Sequence, residues 1–437
     1  MNHRILEGFD KGRIQIIVGQ RLALKHNAVM LAIDYIRTNT GADQNNIFVF
    51  DLDDILTRLD FEEDFDSFQH ELEKAMGGDL KSLSHPIYLI FNQVENARNL
   101  FPFIASLNTI NPRHIHILLT SSTELRTDPD YNTHFSIEAD IHVTYPPTLK
   151  EVLLSKGIKL PDSSVIASIA SGCIEHEFFA KNLESIKNQH VKIMKIIKDY
   201  LLYGGNHLIS DGQQSIRLTL KDFYENILVA VYQLTELKLF DQILHILASQ
   251  NGNMLNLLKM CDTYNINRNT MRKYSGILVD TFMIDYVHPF LKARVDKPIM
   301  RSSKIYFYDN GLVNYLNGIE TFQLLESMNS FQSNLDAMLY SNLKSIISNI
   351  GMREDIKFLR DYQNHELDFL LSTCKGLVPM GICMDADARK EKIKTFRYYL
   401  RYCQQIYHGI IFTEQEDIEI IDMKKSKLYL LPISMLW

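Results

Sequence analysis

Between Ile14 and Met30 the chain reads IQIIVGQRLALKHNAVM, an apolar run, a glycine, a lysine six residues on, and a second apolar run. A buried strand turning at Gly19 into a helix from Leu22 presents free backbone N–H groups and the positive end of a helix dipole. That is chemistry for a polyphosphate, with a lysine reaching its terminal groups. The full pattern is G-x-x-x-x-G-K-[ST], and here it is half complete. Gly19 and Lys25 hold the first glycine and the lysine. Leu24 stands at the second glycine, where its isobutyl group crowds the approach to phosphates. His26 stands at the hydroxyl that would ligate Mg²⁺, a hard ion that prefers oxygen. On this stretch alone, Lys25 as a solvated lysine on a first helical turn reads slightly better than Lys25 as a phosphate ligand.

A second stretch, IYLIFNQVENA, ends a strand in Asn92 and Gln93. A P-loop ATPase places Asp-Glu here, the Asp for the magnesium shell and the Glu to activate water. The two amides keep the shape of those acids without the charge, and a neutral amide accepts no proton. Glu95 lies two residues further on, past the strand end. Both amides also read comfortably as a polar cap on a buried strand.

The elements that must position these groups are short all-apolar runs. They are Ile14–Val18, Ile47–Asp51, Ile87–Phe91 and Ile115–Thr120, with a fifth near Ala139–Val143. Helical segments separate them, such as Asn96–Ser106, and the acidic stretch Asp51–Glu73 reads as an amphipathic helix through Phe61, Phe65 and Phe68. Such alternation predicts an α/β fold, a parallel sheet covered on both faces. Ligands of such sheets sit at the strand C-termini, where Gly19, Asp51, Asn92 and Thr120 gather. Thr148 to about Leu247 is mostly helical, broken at Gly204–Gly205. Leu239–Phe290 is a compact set of helices, and Ser303–Trp437 mixes strands with helices at Leu335–Ser348 and Arg389–Gln405.

Composition bounds the function classes. The 437 residues carry 46 Lys and Arg against 53 Asp and Glu, a formal charge of −7, and 46% hydrophobic residues. This excludes a generally basic nucleic-acid coat and wholesale disorder. Five scattered cysteines with no C-x-x-C pair give neither a disulfide framework nor a structural zinc site. No apolar run is long enough for a leader or a bilayer span, so a cytoplasmic, non-membrane protein is expected. His114 and His116 flank one face of a strand with no third ligand nearby and read as structural.

Taken in order, GQRLALK, IFVFDLDD, LIFNQVENA, ILLTSSTEL, TLKEVL and YLLYGG resemble a large family of prokaryotic AAA-type P-loop ATPases. These carry a C-terminal domain of long-unknown function that combines a winged helix with a restriction-nuclease-like fold. NRNTMRKYSGILVDTFMIDYVHPF is similar to the winged helix. KIYFYDNGLVNYL is similar to the strand and turn after it, and HELDFLL with GLVPMGICMD to the nuclease-type core. The resemblance covers nearly the whole chain. It implies a P-loop ATPase domain over 1–147, a helical lid over 148–238, a winged helix over 239–302, and an α+β PD-(D/E)XK nuclease-like domain over 303–437.

The departures from the family pattern are as telling. The phosphate loop lacks its second glycine and hydroxyl, the acidic pair is Asn92 and Gln93, and the arginine usually found after the TSS segment is not evident (Arg126 comes early). Each lost transition-state contact is typically worth ~2–4 kcal/mol. The resemblance therefore implies a degenerate, non-hydrolysing relative. ATP or ADP would be held weakly, without metal, by Gly19, Gln20, Arg21, Lys25, His26, Asn92 and Gln93. A weak or atypical ATPase using Lys25 and Glu95 is the first alternative. The nuclease register puts Asp336 at the helix acid and Asp368, beside Glu366, at the strand acid, while the Glu-x-Lys positions read Gly381 and Cys383. This implies a vestigial metal site without cleavage. The second alternative is DNA binding. Asn265–Lys304 holds eight Lys and Arg against three Asp, with Arg268, Asn269, Arg272 and Lys273 on the recognition helix and Lys292–Lys304 as the wing. Nucleotide, DNA or a protein are thus the partners implied. The helix Arg389–Gln405 also interleaves Lys and Arg with tyrosines, and reads as an ordinary amphipathic helix with its aromatics in the core.

Overall fold

The computed structural model describes residues 2–21, 29–40, 44–63, 65–97, 100–125, 129–134, 139–208, 213–291, 302–352, 356–423 and 425–437. The chain folds into two compact units. The first comprises Met1–Tyr145, Thr219–Leu237 and Asp280–Phe282, and the second comprises Pro146–Leu218, Lys238–Val279 and Met283–Trp437.

The first unit holds a five-stranded parallel sheet of β1 (Ile14–Gly19), β2 (Ile47–Asp51), β3 (Ile87–Asn92), β4 (Ile115–Ser121) and β5 (Ala139–Thr144), in the order β2-β3-β4-β1-β5. Each run read as a strand from its continuous apolar character is one. Side chains alternate between the two faces. Ile14, Ile16, Val18, Leu89, Phe91, Ile117 and Leu119 join the core built with helices Phe65–Met76 and Leu100–Ile110. Ile17, Tyr88, Ile90 and Leu118 join the core built with helices Asn2–Asp10 and Val29–Thr40. The chain leaves β1 toward one sheet edge and leaves β4 toward the other. With right-handed crossovers this puts a topological switch point at the C-terminal ends of β1 and β4.

Local elements differ from the sequence reading in places. The expected helix Asn96–Ser106 is a 3₁₀ turn at Val94–Asn96 and a helix at Leu100–Ile110, because Gln93 turns the chain with φ 60°. The acidic stretch forms two helices, Ile55–Glu63 and Phe65–Met76. His116 packs among the rings of Phe9 and Tyr88, and burial lowers its pKa to about 4, which leaves it neutral and structural.

In the second unit, Thr148 and Glu151 close a capping box at the head of the helix Leu149–Ser155. At Gly204 φ is 74° and a Cβ would sit 1.9 Å from Asp309 Oδ1, so only glycine fits. Helices Leu237–Ser249, Leu257–Tyr264 and Arg268–Asp280 precede an antiparallel pair, β6 (Ile284–Val287) with β7 (Lys304–Phe307). A six-stranded mixed sheet follows, made of β8 (Ile356–Arg360), β9 (Glu366–Thr373), β10 (Gly376–Cys383), β11 (Gly409–Thr413), β12 (Glu419–Met423) and β13 (Ser426–Pro432). Its order is β12-β13-β11-β10-β9-β8, with β10, β11 and β13 parallel. The helices Phe331–Ile350 and Ala386–Tyr402 both contact β10. Trp437, the single tryptophan, is fully buried, with its indole N–H donated to the Ser434 carbonyl. No helix among the described residues is long and apolar enough to cross a membrane.

Candidate functional site

The C-terminal edge of the first sheet gathers Gly19, Gln20, Arg21, Asp53, Asn92, Gln93, Glu95 and Ser122. Leu24, Lys25, His26 and Arg126 lie outside the described residues. Gly19 pairs in register with Thr144 of β5, and a Cβ there would lie 2.2 Å from the Thr144 carbonyl oxygen. The glycine is thus required by strand packing, whatever else it does.

The centre of this edge is Arg21, whose side chain is only 5% exposed. Its Nε donates to Asp222 Oδ2 at 2.6 Å, its Nη1 to Gln93 Oε1 at 3.0 Å, and its Nη2 to Asp53 Oδ2 at 2.9 Å and Oδ1 at 3.0 Å. Glu95 Oε1 lies 4.0 Å from Nη1. Burial opposes the charge, but the bond to Asp222 and the fields of Asp53 and Asp222 hold the guanidinium above its ordinary pKa.

The two amides are bound into the same network. Gln93 Oε1 also accepts from Ser122 Oγ at 2.5 Å, and the Gln93 backbone N–H donates to Thr120 Oγ1 at 3.0 Å. Asn92 donates to Asp51 Oδ1 at 3.1 Å and accepts from Thr120 Oγ1 at 2.6 Å. The Glu95 side chain is 2% exposed. Burial raises its pKa against the counter-pull of the Ser122 N–H, 3.0 Å from its Oε1, and of Arg21. Among the described residues, Gln93 Nε2 and Glu95 Oε2 are buried and have no hydrogen-bond partner.

These residues do not fit a divalent ion. Among the described residues, Asp53 and Asp222 are already bonded to a guanidinium, and the two strand-end positions are amides, poor ligands for a hard cation.

A second cluster lies in the second unit, around β9 and β10. Asp336 projects from the helix Phe331–Ile350, and Asp368 and Glu366 from β9. Sequence reading found no lysine here because Cys383 occupies the strand position. The structure supplies one from the following helix. Lys392 Nζ donates to Asp368 Oδ2, and Gly381 makes the room, since a Cβ there would lie 2.5 Å from that oxygen.

Lys304 also differs from expectation. Rather than extending a basic wing, it is buried on β7 and bonded to Glu366, which Arg360 Nη1 also meets at 3.0 Å. Lys292, Arg294, Lys297 and Arg301 lie outside the described residues. Asp336 accepts from Gln332 Nε2 at 2.8 Å. Burial, then the charge of Asp368, pushes Asp336 up to about 7, against the pull of Lys392 and Lys304. Burial works against the Lys392 charge, but Asp368 and Asp336 hold it up at about 12. A cavity of about 20 Å³ beside Asp368, Gly381 and Lys392 has room for one water. Among the described residues no group of three or more His, Cys, Asp or Glu is placed to hold a metal. The ammonium of Lys392 already occupies Asp368, so this cluster does not fit a metal either.

The third expected set does come together. On the helix Arg268–Asp280, Arg268, Asn269, Arg272 and Lys273 are exposed on one side, while Met271, Tyr274, Ile277 and Leu278 are buried. Arg268 lies 3.6 Å from Asp262, and Arg268 and Arg272 line a cleft of about 440 Å³ with Asn256 and Ser302.

Comparison with known proteins adds little beyond this geometry. A family model described as "Domain of unknown function (DUF8612)" matches residues 194–323. No curated protein matches the chain. Solved structures similar to it include PCH-2 of C. elegans, at 10% identity over 53% of this chain and 66% of that one, TM-score 0.28. The DNA clamp loader delta protein of Bacillus subtilis is similar at 12% identity over 63% of this chain and 87% of that one, TM-score 0.26. A DNA polymerase III gamma subunit-related protein of Thermotoga maritima is similar at 12% identity over 64% and 99%, TM-score 0.27.

Proposed function

We propose that the chain is an AAA-type P-loop scaffold that does not hydrolyse ATP, and that it acts by holding a partner rather than by turnover. The observation that carries this reading is the Arg21 network. A guanidinium bonded to Asp53, Asp222 and Gln93 provides the positive charge that a hydrolase would take from magnesium, and it is fixed in place. Charge-assisted bonds of this kind are each worth roughly 1.5–3 kcal/mol, so a solvated divalent ion has little to gain by displacing it. ATP or ADP would bind weakly, through backbone groups near Gly19 and Gln20 and through Lys25. The atypical-ATPase alternative is less well supported, because the Glu95 side chain is 2% exposed with one oxygen on the Ser122 N–H. Phosphate release from Mg²⁺-ATP by the purified chain is expected to stay at the level of a Lys25→Ala variant. Steady release that Lys25→Ala abolishes would overturn the proposal.

A second reading rests on a different observation, the exposed side of Arg268, Asn269, Arg272 and Lys273. With the three helices and the β6–β7 pair it suits a winged helix that places these four at a DNA groove. Duplex binding that falls with salt and weakens in Arg272→Ala/Lys273→Ala is the expected result. Unchanged binding in that variant would remove the reading.

A further inference from the structure

The helix Ala386–Tyr402 buries Phe396 and Tyr399 and exposes Lys390, Lys394, Arg397 and Arg401. Their spacing of four, three and four puts these cations on one face. Lys390 is paired with Asp387 and Lys394 with Glu391. Arg397 and Arg401 have no ion-pair partner among the described residues.

Tyr398 and Tyr402 follow these arginines in the sequence. Tyr398 and Tyr402 lie 5.0 Å apart, and His365 stacks on Tyr398 at 4.1 Å. Asp361 fixes that stack, accepting from the Tyr398 hydroxyl at 2.7 Å and lying 3.0 Å from His365 Nδ1. Tyr362, in the same turn, is 63% exposed.

Past the helix end, Gln404 and Gln405 lead into a cleft of about 520 Å³ that Lys375, Tyr407 and Lys425 also line. Lys375 Nζ sits 5.7 Å over the Tyr407 ring. Among the described residues no carboxylate lines this cleft. In a chain of net charge −7, a helix carrying these two arginines and followed in sequence by a cleft with two lysines is a local reversal of sign.

We propose that this face and cleft bind single-stranded nucleic acid. Arg397, Arg401, Lys375 and Lys425 take backbone phosphates, and Tyr362 and Tyr402 provide rings for unstacked bases. Cations interleaved with rings suit a strand whose bases are free to stack, because every base has a π-face and none is read by its edge. A duplex keeps its bases stacked on one another and would use the arginines alone. This site is separate from the P-loop edge and from the Arg268–Lys273 side, so its failure and theirs are distinguishable.

The test is fluorescence anisotropy of the full chain with a labelled oligothymidylate of about twelve nucleotides, within the span such sites cover. Binding is expected to weaken with salt. Arg397→Ala/Arg401→Ala is expected to lower affinity at least about tenfold and to flatten the log–log salt slope by about 1.4, two phosphate contacts on a single strand. Tyr362→Ala/Tyr402→Ala is expected to lower affinity with the salt slope unchanged, because stacking releases no counterions. Arg272→Ala/Lys273→Ala should leave this affinity unaltered. The substituted side chains lie at or near the surface, and the fluorescence of Trp437 checks that each variant is folded. Absence of binding at low salt, full affinity in the arginine variant, or a matched duplex that competes as well as the single strand would each overturn the proposal.

Discussion

Both units gather carboxylates where their sheets would be expected to do chemistry, and in both those carboxylates are bonded to cationic side chains. The pairings differ in kind. In the first unit one arginine, Arg21, serves Asp53, Asp222 and Gln93, and lies 4.0 Å from Glu95. In the second unit the cations Lys392, Lys304 and Arg360 face Asp336, Asp368 and Glu366. An arginine stays charged at any pH a folded protein meets, so the first cluster has a fixed keystone. The second contains Asp336, which is pushed up to about 7 and can exchange a proton near neutrality. The comparison teaches that a cluster of carboxylates can be held rigidly by one buried guanidinium, or softly by lysines around an aspartate that titrates near neutrality.

The largest effect is expected from Arg21→Met. It removes a charge buried to 5% exposure and leaves Glu95 without its neighbouring cation. Asp53 and Asp222 are about a quarter exposed and can rehydrate in part, so the loss is roughly 2–4 kcal/mol rather than the full cost of breaking a buried pair. Hydrogen exchange in peptides covering β1 and β3 under mild denaturant reads it. Unchanged protection there would mean that Arg21 is not the keystone.

Lys392→Met is expected to cost less, on the order of 1–3 kcal/mol at pH 8, because Asp336 can take up a proton in its place. The cost should shrink as pH falls toward 6. Urea unfolding followed by Trp437, buried in the second unit, measures it. A penalty independent of pH would show that protonation of Asp336 does not compensate for the lost ammonium.

The smallest effect is a slope. Asp336 has a folded pKa of about 7 against an ordinary value of 3.8, so the folded state holds a proton that the unfolded state releases between those values. Its contribution to stability is full below about pH 4 and is lost as pH rises to about 7, with a slope of at most about 1.4 kcal/mol per pH unit. Asp336→Asn is expected to flatten that interval in the same Trp437 assay. An identical pH profile in the variant would place the titration elsewhere.

The fold was largely legible in the sequence, because a strand buried on both faces has to be apolar throughout. Ile14–Gly19, Ile47–Asp51 and Ile87–Asn92 were therefore plain. β12, with its alternating Glu419–Met423 pattern at a sheet edge, and the short β6 and β8 were not, since they lack a continuous apolar run. The sites were legible only as absences. Asn92, Gln93, Gly381 and Cys383 told what was missing from each pattern. What fills the gaps came from far along the chain, Asp222 for Arg21 across 201 positions and Lys392 for Asp368 from the next helix rather than the strand. No local spacing encodes such pairings. The exposed side of Arg268, Asn269, Arg272 and Lys273 was readable, because helical periodicity alone separates it from Met271 and Tyr274.

The central claim is that side-chain cations stand where divalent ions would be needed. Titration of the full chain with Mn²⁺ at neutral pH, read by the loss of the free-ion paramagnetic resonance signal, tests it most directly. The account predicts only weak, non-saturating binding, unaltered by Asp53→Asn or Asp368→Asn. A saturable site of micromolar affinity that either substitution abolishes would contradict it.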